Sequence, residues 1–199
     1  MPRAIRAFLV LIVVAACAAW GYFAWNSQRA YHLATVRDGV LYRDGARSVT
    51  QLASALDLVR PRTVVSLVDS SEESDPTKPQ FTQEAKICVD RGVKLEHIEV
   101  KPGGWPTSDD IRRFLKIVQE RQSQPVLVHC AQGVRRTAMF VAAYQESVLG
   151  YDKSRAKDAI LAFGHSDRTI GDINRFIEEY DPQSQTVPID LPHEKQCPN

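Results

Sequence analysis

The junction between Pro125-Val126-Leu127-Val128-His129-Cys130 and Ala131-Gln132-Gly133-Val134-Arg135-Arg136-Thr137 constrains this chain more than any other segment. The first half reads as an apolar, β-rich strand, and the run Ala138-Met139-Phe140-Val141-Ala142-Ala143-Tyr144 beyond it reads as a helix. A strand, a tight loop and a helix in succession belong to an α/β fold. A helix start offers unpaired N–H groups and a positive dipole potential, which together bind anions. The same field lowers the pKa of a cysteine placed there and keeps it as thiolate. Five residues lie between Cys130 and Arg136. That span can curl the amides from Ala131 to Arg136 around a tetrahedral oxyanion while the guanidinium closes the ring with paired bonds. The blander alternative is a buried strand-end cysteine beside a surface arginine.

Elsewhere, strands alternate with helices. Val40 to Arg43 reads as a first strand, and Ser48 as the cap of a helix over 49–59 ended by Pro61. Residues 63–68 form a β-branched central strand, and the polar, acidic stretch 69–79 reads as a loop. A helix over 81–90 stops at Gly92; a strand over 93–100 and a loop over 101–106 follow. Thr107 or Ser108 caps a helix to about residue 122, with Asp109 and Asp110 in its first turn. Helices over 152–163 and 170–180 close the domain. The expected fold is an α/β sandwich, a central and mostly parallel sheet flanked by helices. Ligands of such sheets bind beyond the carboxyl ends of the strands, where Cys130, Asp69 and the 101–106 loop all lie.

The N-terminus has a different character. Ala7 to Trp25 is uninterruptedly apolar, and about nineteen residues at roughly 1.5 Å each nearly match a bilayer core of about 30 Å. Arg3 and Arg6 precede it, and Trp20, Tyr22, Phe23 and Trp25 sit where an interfacial aromatic belt would fall. The expectation is a signal-anchor transmembrane helix within residues 1–25, a tether over 26–36, a catalytic domain over 37–180 on the non-cytoplasmic (periplasmic) side, and an extended tail over 181–199. A secreted form after cleavage is one alternative. A lipoprotein, with Cys17 in Val14-Ala15-Ala16-Cys17 as the lipidated residue, is another.

Composition excludes other classes. The 199 residues are 44% apolar and 25% charged with a net charge of +1, and no basic run suggests nucleic-acid binding. Cys17, Cys88, Cys130 and Cys197 do not make a disulfide framework, and no Cys/His spacing suits a metal. Neither metal nor cofactor is expected. Cys88 reads as a disulfide partner for Cys130 in an oxidising exterior, or as an ordinary apolar helix residue.

The run from His129 to Thr137 resembles the Cys-x5-Arg-Ser/Thr signature of the cysteine-dependent protein tyrosine phosphatase superfamily, most closely its compact, bacterial, dual-specificity-type members. The resemblance covers residues 35–180. It implies phosphomonoester hydrolysis through a phosphocysteine intermediate, with Cys130 attacking phosphorus and Arg136 holding two equatorial oxygens. It further implies that Ala131, Gln132, Gly133, Val134, Arg135 and Arg136 bind the phosphate. Thr137 would donate its hydroxyl to the Cys130 sulfur, and His129 would orient the loop through a bond to its backbone. Arg135 and Lys101 read either as a positive rim or as solvated charges. The family protonates its leaving group with an aspartic acid some thirty residues before the cysteine. Here that region is Pro102-Gly103-Gly104-Trp105-Pro106-Thr107, so Asp69 and Asp109 are the candidate acids, ahead of Asp110 and Glu99. This departure keeps open a phosphate-binding module with little turnover, and a sulfurtransferase or arsenate reductase. The substrate would be a phosphorylated protein or a small phosphomonoester, an inositol phosphate or phosphoinositide included.

Overall fold

The structure, a computed structural model, describes residues 11–18, 20–21, 29–160, 163 and 165–187. From residue 29 the elements are β1 (Tyr31–Arg37), β2 (Leu41–Gly45), α1 (Val49–Val59), β3 (Thr63–Ser66), α2 (Ser70–Glu73), α3 (Pro79–Thr82), α4 (Glu84–Val89), β4 (Lys94–His97), α5 (Ser108–Gln119), β5 (Val126–Cys130), α6 (Arg135–Ser147), α7 (Lys153–Asp158) and α8 (Asp167–Glu179). The sheet order is β1-β2-β5-β3-β4. Only β1 runs antiparallel to its neighbour. The expected mostly parallel sheet is present.

Alternation along the strands makes two cores. Val65, Val126 and Val128 face α5, α6 and α8, where Phe114 and Phe140 meet edge to face at 5.2 Å and Phe176 stacks on Tyr180. Val64 and Leu127 face the other way, against Leu52, Ala55 and Leu56 of α1, Phe81 of α3, and Ile87 and Cys88 of α4. Cys130 belongs to the first layer and Cys88 to the second, so these two cysteines lie in different cores and the disulfide reading finds no support.

The helix starts are mostly capped by side chains. Ser48 accepts from Gln51 N–H, and Thr107 forms a reciprocal capping box with Asp110. Ser166 accepts from Thr169 N–H at the start of α8. At α6 the cap residue is Val134 and no side chain closes the end. Its leading N–H groups are left facing the loop of Cys130.

Several boundaries differ from the sequence reading. The tether over 26–36 is in part strand, because Tyr31 to Arg37 pairs with β2 across two register irregularities that blur its alternation. The loop over 69–79 contains α2 and ends at α3, whose first residue is Pro79. The strand expected over 93–100 shortens to Lys94–His97, and the helix over 152–163 to Lys153–Asp158. In the tail, Asp181 and Thr186 bridge and Val187 is buried, while 188–199 lies outside the described residues. Of the apolar run 7–25, residues 11–18 and 20–21 are helical and exposed, and the rest of that reading falls outside the described residues. Among those described, no helix is long and apolar enough to cross a membrane.

Candidate active site

β5 is flanked by β2 and β3, so its last residue, Cys130, emerges near the middle of the sheet's carboxyl edge. Gly45 ends β2 directly opposite Cys130. The loop folds back onto this strand end, and two glycines make the approach possible. A Cβ on Gly133, whose φ is +67°, would sit 2.4 Å from the Asp44 carbonyl oxygen; one on Gly45 would sit 2.6 Å from the Gln132 carbonyl carbon. Both obstacles are backbone, which cannot swing aside. Both the positive φ and the close packing against the β2 end require glycine at position 133.

The Cys130 thiol is nearly buried, and the Gly133 N–H donates to its sulfur at 3.2 Å. Burial alone would raise its pKa. The Arg136 charge, the Thr137 hydroxyl and N–H and the Gln132 N–H together outweigh burial and bring it below the ordinary thiol value. Thr137 is fully buried and its hydroxyl has no well-aligned partner, which leaves the sulfur as the group it faces.

Arg136 is fixed from behind. Its Nη1 donates to Glu72 Oε2 at 2.5 Å, to the Leu67 carbonyl at 2.9 Å and to the Val100 carbonyl at 2.9 Å. Its Nη2 donates to Glu72 Oε1 at 3.1 Å. Nε and one Nη2 hydrogen take no part in these bonds, and they are the edge of the guanidinium available to an oxyanion. Burial opposes the charge, but Glu72 and Cys130 more than restore it, so Arg136 stays cationic. Glu72 was missed in the sequence, although Asp69-Ser70-Ser71-Glu72 has the spacing of a capping box.

Beneath the loop lies a buried polar layer. His129 is fully buried and pairs with Glu84 through Nε2, while Ser66 Oγ donates to the other Glu84 oxygen at 2.9 Å. Burial disfavours its charge, but Glu84 above all pushes the pKa up to about 9. The expected bond from His129 to the loop backbone is absent: the ring is tied to Glu84, and its Nδ1 has no partner. Glu84 carried a readable signal: it falls on the apolar stripe Phe81, Ile87, Cys88 of its helical segment. Asp44 is buried with neither carboxylate oxygen bonded, and burial pushes its pKa up to about 8. Arg43, also buried, donates from Nη2 to the Gly133 carbonyl at 2.6 Å.

The candidate acids separate clearly. Asp69 caps α2, accepting from Glu72 N–H at 3.0 Å and Ser71 Oγ at 2.8 Å, within the field of Arg136. Burial pushes its carboxyl up, but these two bonds and the charges of Arg136 and Lys101 hold it below the ordinary carboxylate value. Asp109 is exposed and bound to Arg112 at 2.5 Å, and none of its contacts leads to the loop. Asp110 closes the Thr107 capping box, and Glu99 accepts from Ser70 N–H at 3.4 Å. Trp105 packs on Phe176, so Trp105-Pro106-Thr107 serves a helix start. Arg135 is not a free rim charge: it joins Asp172 at 3.0 Å to the Gly104 carbonyl at 2.7 Å, pinning the 101–106 loop.

The sequence over residues 40–174 matches the family described as "DSP-PTPase phosphatase fused to NAD+ Kinase". No curated protein matches the chain. Among solved structures, the core catalytic domain of the PP-IP phosphatase SIW14 from S. cerevisiae, in complex with citrate, is similar at 18% identity and TM-score 0.62, over 79% of this chain and 90% of that one. A putative phosphatase from Shewanella putrefaciens is similar at 18% identity and TM-score 0.59, over 82% and 96%. A P. aeruginosa TpbA variant in complex with pTyr gives 22% identity and TM-score 0.55, over 73% and 83%. At these identities the likeness shows a shared fold.

Proposed function

This chain belongs to the DSP-PTPase phosphatase family, of the cysteine-dependent, dual-specificity type, and we propose from that footing that it hydrolyses phosphomonoesters through Cys130 without a metal. One observation carries the reading: the Cys130 sulfur lies under a loop amide and before a fixed guanidinium, with its pKa drawn down. The thiolate attacks phosphorus, forming an S–P bond as the ester P–O bond breaks, and Arg136 holds the equatorial oxygens through Nε and Nη2. The leaving oxygen takes its proton from Asp69 or from solvent. Water then attacks phosphorus, the S–P bond breaks, and phosphate leaves with the thiolate restored. Asp69 is ionised in the free site, and a bound phosphate dianion beside it would raise its pKa toward the protonated form. The relatives' names span an inositol pyrophosphate phosphatase and a pTyr complex, so the fold is compatible with both substrate classes.

Residues 7–25 we assign to a membrane anchor with the domain on the non-cytoplasmic side, on the length of the apolar run and the exposure of Leu11, Val13, Val14 and Trp20. Fractionation and protease shaving of spheroplasts test this: a domain degraded only after lysis would show the reverse orientation. For the activity, aryl phosphate hydrolysis is measured in EDTA with a thiol reductant. Turnover lost in Cys130→Ser supports the mechanism, and turnover surviving it excludes it. Phosphate binding without turnover in the native chain would indicate a binding module.

A further inference from the structure

Tyr31, Gly45 and Cys130 lie side by side across three strands, Tyr31 pairing with Gly45 and Gly45 with Cys130. The chain therefore enters its domain at the edge from which the phosphate loop opens. His32 fixes that entry. Its Nδ1 bonds the Gln132 carbonyl at 2.8 Å, and its ring stacks between Tyr31 at 3.8 Å and Phe163 at 4.1 Å. A φ of 62° places this non-glycine residue in the left-handed region, so the surrounding contacts hold the bend against its intrinsic preference.

The sequence leaves little slack before this point. From Trp25, where the apolar run ends, to Tyr31 the chain can span at most about 20 Å. A domain of this size is roughly 40 Å across. Such a tether cannot carry the opposite edge of the sheet to a bilayer in place of the entry edge. The groups at the entry also suit a headgroup layer. Arg47, exposed, lies over the Tyr31 ring at 5.0 Å, and His165 meets His32 edge-on; Arg43, over Phe163 at 5.3 Å, is buried and backs the cluster from within. Aromatic rings with guanidinium partners settle at the membrane–water boundary, where cations also meet lipid phosphates. Of the carboxylates at this edge, exposed Glu99 and half-buried Glu73 follow β4 and β3 at the other end of the sheet, while exposed Asp167 stands two residues beyond His165.

We infer that the phosphate loop faces the bilayer and removes phosphate monoesters from lipid headgroups. The inference rests on both the phosphatase reading and the anchor. A loop fixed near the headgroup plane meets lipid phosphates at a standing high local concentration, whereas a soluble phosphoprotein must be recruited to it.

The test uses the full chain in phosphatidylcholine vesicles carrying a phosphatidylinositol monophosphate. It is compared with a variant carrying a helical spacer of about 20 residues, roughly 30 Å long, between Ser27 and Gln28. Both are also assayed on a soluble aryl phosphate. The expected result is that both forms sediment with vesicles and turn over the aryl ester equally, while the spacer lowers lipid phosphate release about tenfold or more. Loss of aryl turnover in the native chain would defeat the phosphatase reading, and failure to sediment would defeat the anchor; either overturns this inference. With both intact, lipid release unaffected by the spacer, or no lipid release at all, overturns it alone, the latter in favour of a phosphorylated protein substrate.

Discussion

At Arg136 the fixed geometry should matter more than the charge. Its fork is held by Glu72 and two carbonyls, so Arg136→Lys keeps a cation but loses the paired bonds. We expect kcat for aryl phosphate to fall by about 10³-fold or more in that variant, on the scale of losing a member of a catalytic unit. Glu72→Gln should lower kcat less while leaving Cys130 titratable by alkylation. For the proton donor, Asp69→Asn should slow alkyl and tyrosyl phosphates by about 10²-fold or more yet spare a highly activated aryl ester. Asp109→Asn should leave the leaving-group dependence unchanged, since Asp109 belongs to Arg112. Measuring both variants against a series of leaving groups decides between them; equal slopes for native and Asp69→Asn would remove Asp69 from the mechanism. Cys130 and Arg136 were legible because the proposed nucleophile, loop and clamp are contiguous in the chain. Glu72, Glu84 and Asp44 were not, because they reach the site from separate elements through packing that no local pattern encodes.

Elements bring those distant residues together, and two contacts between elements are open to test. Gly45 and Gly133 meet backbone to backbone where β2 ends and the loop turns. Gly133→Ala adds both a clash and a positive-φ penalty, so a loss of about 2–4 kcal/mol in unfolding free energy is expected, with activity lost alongside. The His129–Glu84 pair joins β5 to α4. A histidine whose pKa rises from 6.5 to about 9 on folding contributes stability that is fully present below pH 6.5 and lost as pH climbs through about 9. Glu84→Gln should therefore destabilise the protein by on the order of 3 kcal/mol near pH 6 and flatten the fall between pH 6.5 and 9. Denaturant midpoints of both proteins at the two pH limits check this; parallel curves would contradict it. Most helices and the parallel strands were legible because their apolar periods run unbroken between clear caps and breakers. β1 was not: Tyr31 to Arg37 pairs irregularly and at an edge, so its alternation is weak. α2 was hidden because a single acidic turn between polar residues has no apolar stripe.

The whole molecule follows from the placement of one loop. Both cores are built on the alternating faces of the same strands, and their shared carboxyl edge carries Cys130, the Asp69 cap and the entry of the chain at Tyr31. With the proposed anchor, that common edge would let a short tether bear on substrate choice; the register of β1 is what places the entry there. The α/β class and the phosphatase signature were readable from the chain, whereas the entry of the chain at Tyr31 beside the Cys130 strand end required the structure. All of this depends on a covalent bond forming at Cys130. The most direct measurement incubates the full chain with an aryl phosphate, quenches in acid during turnover and determines the mass of the Cys130 peptide. One phosphoryl group on Cys130 in the native protein, absent from Cys130→Ser, is the predicted result; continued turnover with no phosphate on that cysteine would contradict the account.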